Sequence, residues 1–138
     1  MNLEIANKAI KAAICASESI NVKSNIAVVD AGANLVAFAR MDNSPLGTVD
    51  ISIKKAKTAA LFQVSSGHKG YSHLKQYNGV DFKDFIPVRG GVPIFDGKNV
   101  LIGGIGVSSR DDPDDSRSSY DTGYNDESIA NAGKNAAK

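Results

Sequence analysis

His68 and His73 are the only histidines in the chain, and they stand five residues apart. They lie in a stretch, 67–91, that also carries Gly67, Gly70, Gly79, Gly90 and Gly91 together with Tyr71 and Tyr77. Long loops inside compact proteins are often functional. Near the far end of this one stands Arg89-Gly90-Gly91-Val92-Pro93. Two glycines leave backbone N–H groups uncovered, and a guanidinium beside them can help cradle an anion or a carboxylate. The same glycines can equally serve only a tight turn into a strand. Arg40, beside Met41-Asp42, has two readings: an anion-binding group at a pocket rim, or half of an Arg–Asp pair that pins a hairpin or an oligomer contact. Asp30 is expected to form a turn by accepting from nearby backbone N–H groups.

Several other chemistries are excluded by spacing. Asp112, Asp114 and Ser116 resemble the start of a calcium loop, but Arg117 fills the required glycine position and Gly123 the required glutamate position. The run Gly103-Gly104-Ile105-Gly106 is followed by no Gly-Lys-Ser/Thr, so it is not a phosphate loop. No Cys/His pattern has zinc spacing, and no nucleophile elbow is present. A formal net charge of +1, without aromatic and basic residues interleaved, argues against a nucleic-acid partner. The lone Cys15 cannot form an intrachain disulfide and reads as a small core residue of a helix.

The elements that must position these residues can be read from periodicity. Leu3, Ala6, Ile10, Ala13, Ser17 and Ile20 are spaced as one face of an amphipathic helix over about 3–20, with Asn2 able to cap it. Residues 26–30 and 35–41 read as two strands around a short turn. A second helix is predicted from Thr48 or Asp50, with a buried stripe of Ile53, Ala56, Ala60 and Val64. Lys54, Lys55 and Lys57 are expected on its more open faces, and Gly67 as its stop. Within 67–91 a short helix is expected near Tyr71 to Tyr77. Residues 92–95 and 100–107 flank Asp96-Gly97-Lys98-Asn99, a strong hairpin signal. Glycines within the second arm should mark a bulge or a close approach. A polar segment, 108–125, precedes a final alanine-faced helix over about 126–137, which carries Ile129, Ala130, Ala132 and Ala136. At 138 residues with 42% apolar content, the chain reads as one α/β domain of the α+β type, with an antiparallel sheet covered by helices. No run approaches the ~20 apolar residues of a membrane span. Charged residues interrupt the N-terminal apolar positions, so no secretory signal is expected and the chain reads as cytoplasmic.

Three ordered blocks, NIAVVDAGANLVAFARMD, KKAKTAALF and RGGVPIFDGKNVLIGGIGVS, resemble the haem-degrading, HbpS-like family. The likeness runs from the first helix to Ser108, and NDESIANAG resembles the family's last helix. Two departures are Ser109, where the family usually has glycine, and the inserted acidic, serine-rich segment 110–125. The resemblance implies a profilin-like fold with a sheet of about five strands, and assembly into homo-oligomers. It implies a small-molecule ligand, with haem or a related tetrapyrrole first. Some members bind haem or are linked to its breakdown; others are attached to cobalamin enzymes or sit in glycolate operons. A haem site needs an iron ligand, an apolar slot and groups for the propionates. A haem-binding branch of the family uses a threonine near the end of the second helix, where this chain has Ser65 and Ser66. Serine is a poor iron ligand, so His68 is the expected metal ligand. His73, Ser66, Lys54, Lys57, Arg40, Arg89, Gly90 and Gly91 complete the candidate ligand-binding set. The alternatives are a small carboxylate held by Arg89 and the Gly90-Gly91 amides, and an assembly module without a ligand.

Overall fold

The computed structural model describes residues 1–68, 86–110 and 124–138, with Arg110 and Tyr124 described by their backbone alone. The expected helix near Tyr71 to Tyr77 and most of the 110–125 insertion lie outside the described residues. Helix α1 spans Leu3–Ser19, and the Asn2 side chain accepts from the Ile5 N–H at 2.8 Å. It buries Ala6, Ala9, Ile10, Ala13 and Ser17, while Leu3 and Ile20 at the ends of the predicted stripe are exposed. Cys15 is exposed too, contrary to the core role expected of it. Position 15 falls off the face defined by residues 6, 10, 13 and 17. The chain turns through Asn21, whose φ is 56°, into strand β1, Lys23–Asp30. Ser17 Oγ donates to the Val22 carbonyl at 2.6 Å and shares a hydrogen bond with Ser24 Oγ at 2.7 Å, fastening helix to strand.

Strand β1 begins three residues earlier than its apolar run, because Ser24 and Asn25 are buried with partners. Asn25 Nδ2 donates to the Pro45 carbonyl and to Thr48 Oγ1, and Asn25 Oδ1 accepts from Ser44 Oγ. A buried polar side chain is tolerable when satisfied in this way. Strand β2, Leu35–Arg40, returns antiparallel through a turn in which Asp30 Oδ1 accepts from the Gly32 and Asn34 N–H groups. Those bonds favour the ionised carboxylate; the Asn34 N–H, the largest influence, holds Asp30 below the usual carboxylate range. A short 3-10 turn, Leu46–Thr48, leads into helix α2, Val49–Phe62. The helix stops at Gln63 with φ 59°, four residues before the predicted Gly67. Strands β3, Gly91–Phe95, and β4, Leu101–Arg110, form the second hairpin, and helix α3, Tyr124–Ala136, closes the chain.

Among the described residues the sheet has four strands in the order β2-β1-β4-β3, all antiparallel, one fewer than the resemblance implied. Helices α1 and α3 cover one face over Ile26, Val28, Val92, Ile94, Ile105 and Val107. Each such fully buried aliphatic contributes about 1.5–3 kcal/mol. Helix α2 covers the other face, and here the strand glycines are explained. A Cβ on Gly106 would stand 2.1 Å from the Ser52 carbonyl oxygen, and one on Gly104 2.6 Å from that of Ala56. The helix backbone therefore rests directly on the strand at Gly104 and Gly106, a close approach, and beside Gly103 the β3–β4 register also shifts, between Ile94 and Phe95.

Candidate functional site

The buried face of α2 differs from the predicted stripe. It comprises Ser52, Lys55, Ala56, Thr58, Ala59 and Ala60, with Ile53 only half-buried. Lys55, expected on an open face, is only 2% exposed. Its ammonium donates to the Val107 carbonyl at 3.0 Å and to Asp126 Oδ2 at 3.1 Å. The other carboxylate oxygen, Oδ1, accepts from Ser109 Oγ. Asp126 sits in the first turn of α3, where the helix dipole favours a negative charge. Ser109, the departure from the family's glycine, thus supplies a hydroxyl to this buried pair. A lysine can be buried here because its charge is paired and hydrogen-bonded.

Gly90 and Gly91 border the same lysine. Gly90 has φ +131°, and a Cβ there would lie 2.8 Å from Lys55 Nζ. A Cβ on Gly91 would lie 2.1 Å from the Lys55 carbonyl oxygen. The Gly91 N–H donates to Ser66 Oγ at 2.8 Å, so this amide already has a partner. Ser66 is fully buried; its hydroxyl donates to the Val88 carbonyl, and its own N–H donates to the Gly91 carbonyl at 2.9 Å. Its hydroxyl proton is committed to holding the lead into β3 against the end of α2. Arg89 is exposed and pairs with Glu127 of α3 through Nε–Oε2 at 3.0 Å.

Ser66, Arg89, Gly90 and Gly91 are therefore brought together with the end of α2. His68 lies two residues beyond Ser66, exposed, with its N–H donating to the Ser65 carbonyl at 3.0 Å. Lys54 and Lys57 are half-buried on α2. Arg40 stands apart, exposed at the end of the edge strand β2, and forms no ion pair with a described residue. His73 lies outside the described residues. The Lys55–Asp126 pair was missed in the sequence. Its one signal is that 52, 55, 56, 59 and 60 also share one helical face, with Lys55 among small residues.

The donor set at the end of α2 fits an iron-bound tetrapyrrole in kind. An exposed imidazole follows Leu61 and Phe62, which are 50% and 43% exposed, and two lysines precede them. A groove of about 860 Å³ lies elsewhere, lined by Met1, Ile5, Phe95, Ile102, Lys134 and Ala137 among others. It opens at the Phe95 end of β3, about 13 Å along the strand from Gly91 at ~3.3 Å per residue. Among the described residues no cluster of three or more His, Cys, Asp or Glu side chains is arranged to hold a bare metal ion.

Comparison with known proteins agrees with this architecture. The family described as haem degrading protein HbpS-like matches residues 1–133. Protein GlcG of Escherichia coli strain K12 is 33% identical over 112 residues, covering 78% of this chain and 81% of the relative. A solved double mutant of Streptomyces reticuli HbpS superposes with a TM-score of 0.79 at 26% identity, covering 98% of this chain and 85% of that one. A solved PduOC–heme complex superposes at 0.75 and 20% identity, covering 99% and 94%, and so shows the shared fold. A match across nearly the whole sequence, backed by a relative one-third identical to it, places the chain in the HbpS-like family.

Proposed function

We propose that this chain binds haem or a related tetrapyrrole at the C-terminal end of α2, with His68 on the iron. The observation that carries the reading is an exposed imidazole just past two part-exposed apolar side chains, in a family described by haem degradation. Lys54 and Lys57 would meet the propionates, and His73 is the second candidate for the iron. Bound haem would supply a redox-active metal, from which slow haem breakdown could follow. The chain's own part is to hold the ring and orient the imidazole. Ser66 serves that part indirectly, since its hydroxyl fixes the loop on which His68 stands. A protein of this kind would work in the cytoplasm as a homo-oligomer. A small carboxylate at Arg89 and the glycine amides is the weaker reading, because the Gly91 amide is already engaged by Ser66.

Hemin titration tests the proposal. A sharpened Soret band is expected with the unaltered chain, and a shifted or weakened one with His68→Ala. A hemin spectrum untouched by the protein would remove tetrapyrrole binding. A spectrum indifferent to His68→Ala but altered by His73→Ala would move the iron ligand to the second histidine.

A further inference from the structure

Among the described residues the two edges of the sheet, β3 and β2, are finished differently. The Val107 N–H donates to the Gly90 carbonyl at 2.9 Å, so the alternation of the ladder turns the main chains of Gly91 and Pro93 away from β4. Both Gly91 groups are closed by Ser66, at 2.8 and 2.9 Å, and Pro93 has no N–H to offer. The β3 edge is thereby blunted, which is how soluble proteins avoid unwanted strand pairing.

The β2 edge lacks these devices. The Met41 N–H donates to the Ser24 carbonyl at 3.0 Å, which turns the main chains of Ala37 and Ala39 toward β1 and those of Phe38 and Arg40 outward. Among the described residues nothing meets the outward N–H and C=O groups of Phe38 and Arg40. The strand reads Leu35-Val36-Ala37-Phe38-Ala39-Arg40, without proline or lysine and without charge before its last residue. Leu35 is 48% exposed, and the four residues after it are half-buried. An open apolar edge of this kind is a template for another strand.

We propose that this edge is closed by β2 of a second copy of the chain, antiparallel about a two-fold axis at Ala39. The inference gives a surface to the self-association proposed above and rests on it. The edge is self-complementary: each copy presents the same two donors and two acceptors, as an isologous contact requires. With the axis at Ala39, Phe38 of each copy exchanges both main-chain bonds with Arg40 of the other. The small Ala39 side chains then face each other as the close, non-hydrogen-bonded pair. The two guanidinium groups sit diagonally instead of directly opposite, which avoids the repulsion of facing like charges. The two sheets become one continuous sheet.

Amide hydrogen exchange on the full chain, read residue by residue beside native mass, tests this. The Phe38 and Arg40 amides are expected to exchange at least a hundredfold more slowly than open chain, with protection lost on dilution as the mass falls to one chain. Arg40→Pro removes an outward donor and no bond to β1, so a folded chain of lower assembly mass is expected. An oligomer in which these two amides exchange freely overturns the β2 contact while leaving self-association standing. A single chain at every concentration overturns both, whether or not the amides are protected. A folded Arg40→Pro variant of unchanged mass also overturns the contact; should that variant not fold, exchange in the unaltered chain decides. No readout involves hemin, so the outcome is independent of the tetrapyrrole proposal.

Discussion

Replacing Asp126 with alanine should destabilise the protein far more than any change at its neighbour Glu127. Both carboxylates belong to the first turn of α3, and both meet a cation at nearly the same distance, 3.1 Å to Lys55 and 3.0 Å to Arg89. Their surroundings differ. The Lys55 and Asp126 side chains are 3% and 10% exposed, whereas those of Arg89 and Glu127 are 45% and 29% exposed. Asp126→Ala strands a buried ammonium with only the Val107 carbonyl and takes the acceptor from the Ser109 hydroxyl. Removing one partner of such a buried pair costs about 3–5 kcal/mol. Glu127→Ala breaks a pair that water screens, worth at most about 1 kcal/mol. For a chain of this length 1 kcal/mol moves the melting temperature by roughly 3–5 °C, so the Asp126 variant should melt on the order of 10–20 °C lower. Urea denaturation of both variants measures the difference. Replacing both partners, Lys55→Met with Asp126→Leu, should recover much of the loss, because no lone charge is then left inside. Equal, small losses from Asp126→Ala and Glu127→Ala would refute the argument that burial decides the worth of these pairs.

Gly106→Ala should cost at least about 1–3 kcal/mol, because its Cβ would meet the Ser52 carbonyl oxygen and the Ala56 nitrogen at 2.1 and 2.4 Å, both backbone atoms of α2. Gly47→Ala, with nothing within 4 Å of the added carbon, should be neutral or gain about 0.4–1 kcal/mol in the same denaturation assay. The Asp30 turn should show in the pH dependence. The folded carboxyl titrates below its unfolded value, so its contribution is complete above the unfolded pKa of about 3.9 and fades as pH falls through the folded value. The stability gap between the unaltered chain and Asp30→Ala should therefore narrow in acid, and a gap constant down to pH 2 would contradict that account.

The hairpins were the most legible parts of the sequence. At Asp96-Gly97-Lys98-Asn99 the signal is local, and the structure completes it with Asp96 Oδ1 accepting from Lys98 and Val100 and with Asn99 at φ 61°. The α1 stripe was legible for the same reason, since its spacing does not depend on distant residues. Lys55 was not legible, because hydropathy places an ammonium outside unless a counter-charge is known, and Asp126 lies 71 positions away. The start of β1 was hidden similarly: Ser24 and Asn25 look like loop residues until Ser17, Ser44 and Thr48 are in place around them. Gly67 carried a helix-stop signal that Gln63 pre-empted, and the glycine instead lies against Arg89, 2.7 Å from where its Cβ would stand. Of the candidate site, only Arg89, Gly90 and Gly91 stand side by side in the sequence, whereas Ser66 reaches Gly91 through the fold. That two of them brace Lys55 and Ser66 could be seen only in three dimensions.

The seating of α2 on Gly104 and Gly106 limits how the molecule can accommodate a guest. Where two layers touch through main-chain atoms, no rotamer is available to absorb a displacement. Sliding the helix by one residue, about 1.5 Å, would carry its carbonyls off the hollows that the missing side chains leave. A ligand at the site proposed beyond Phe62 would therefore meet a fixed platform.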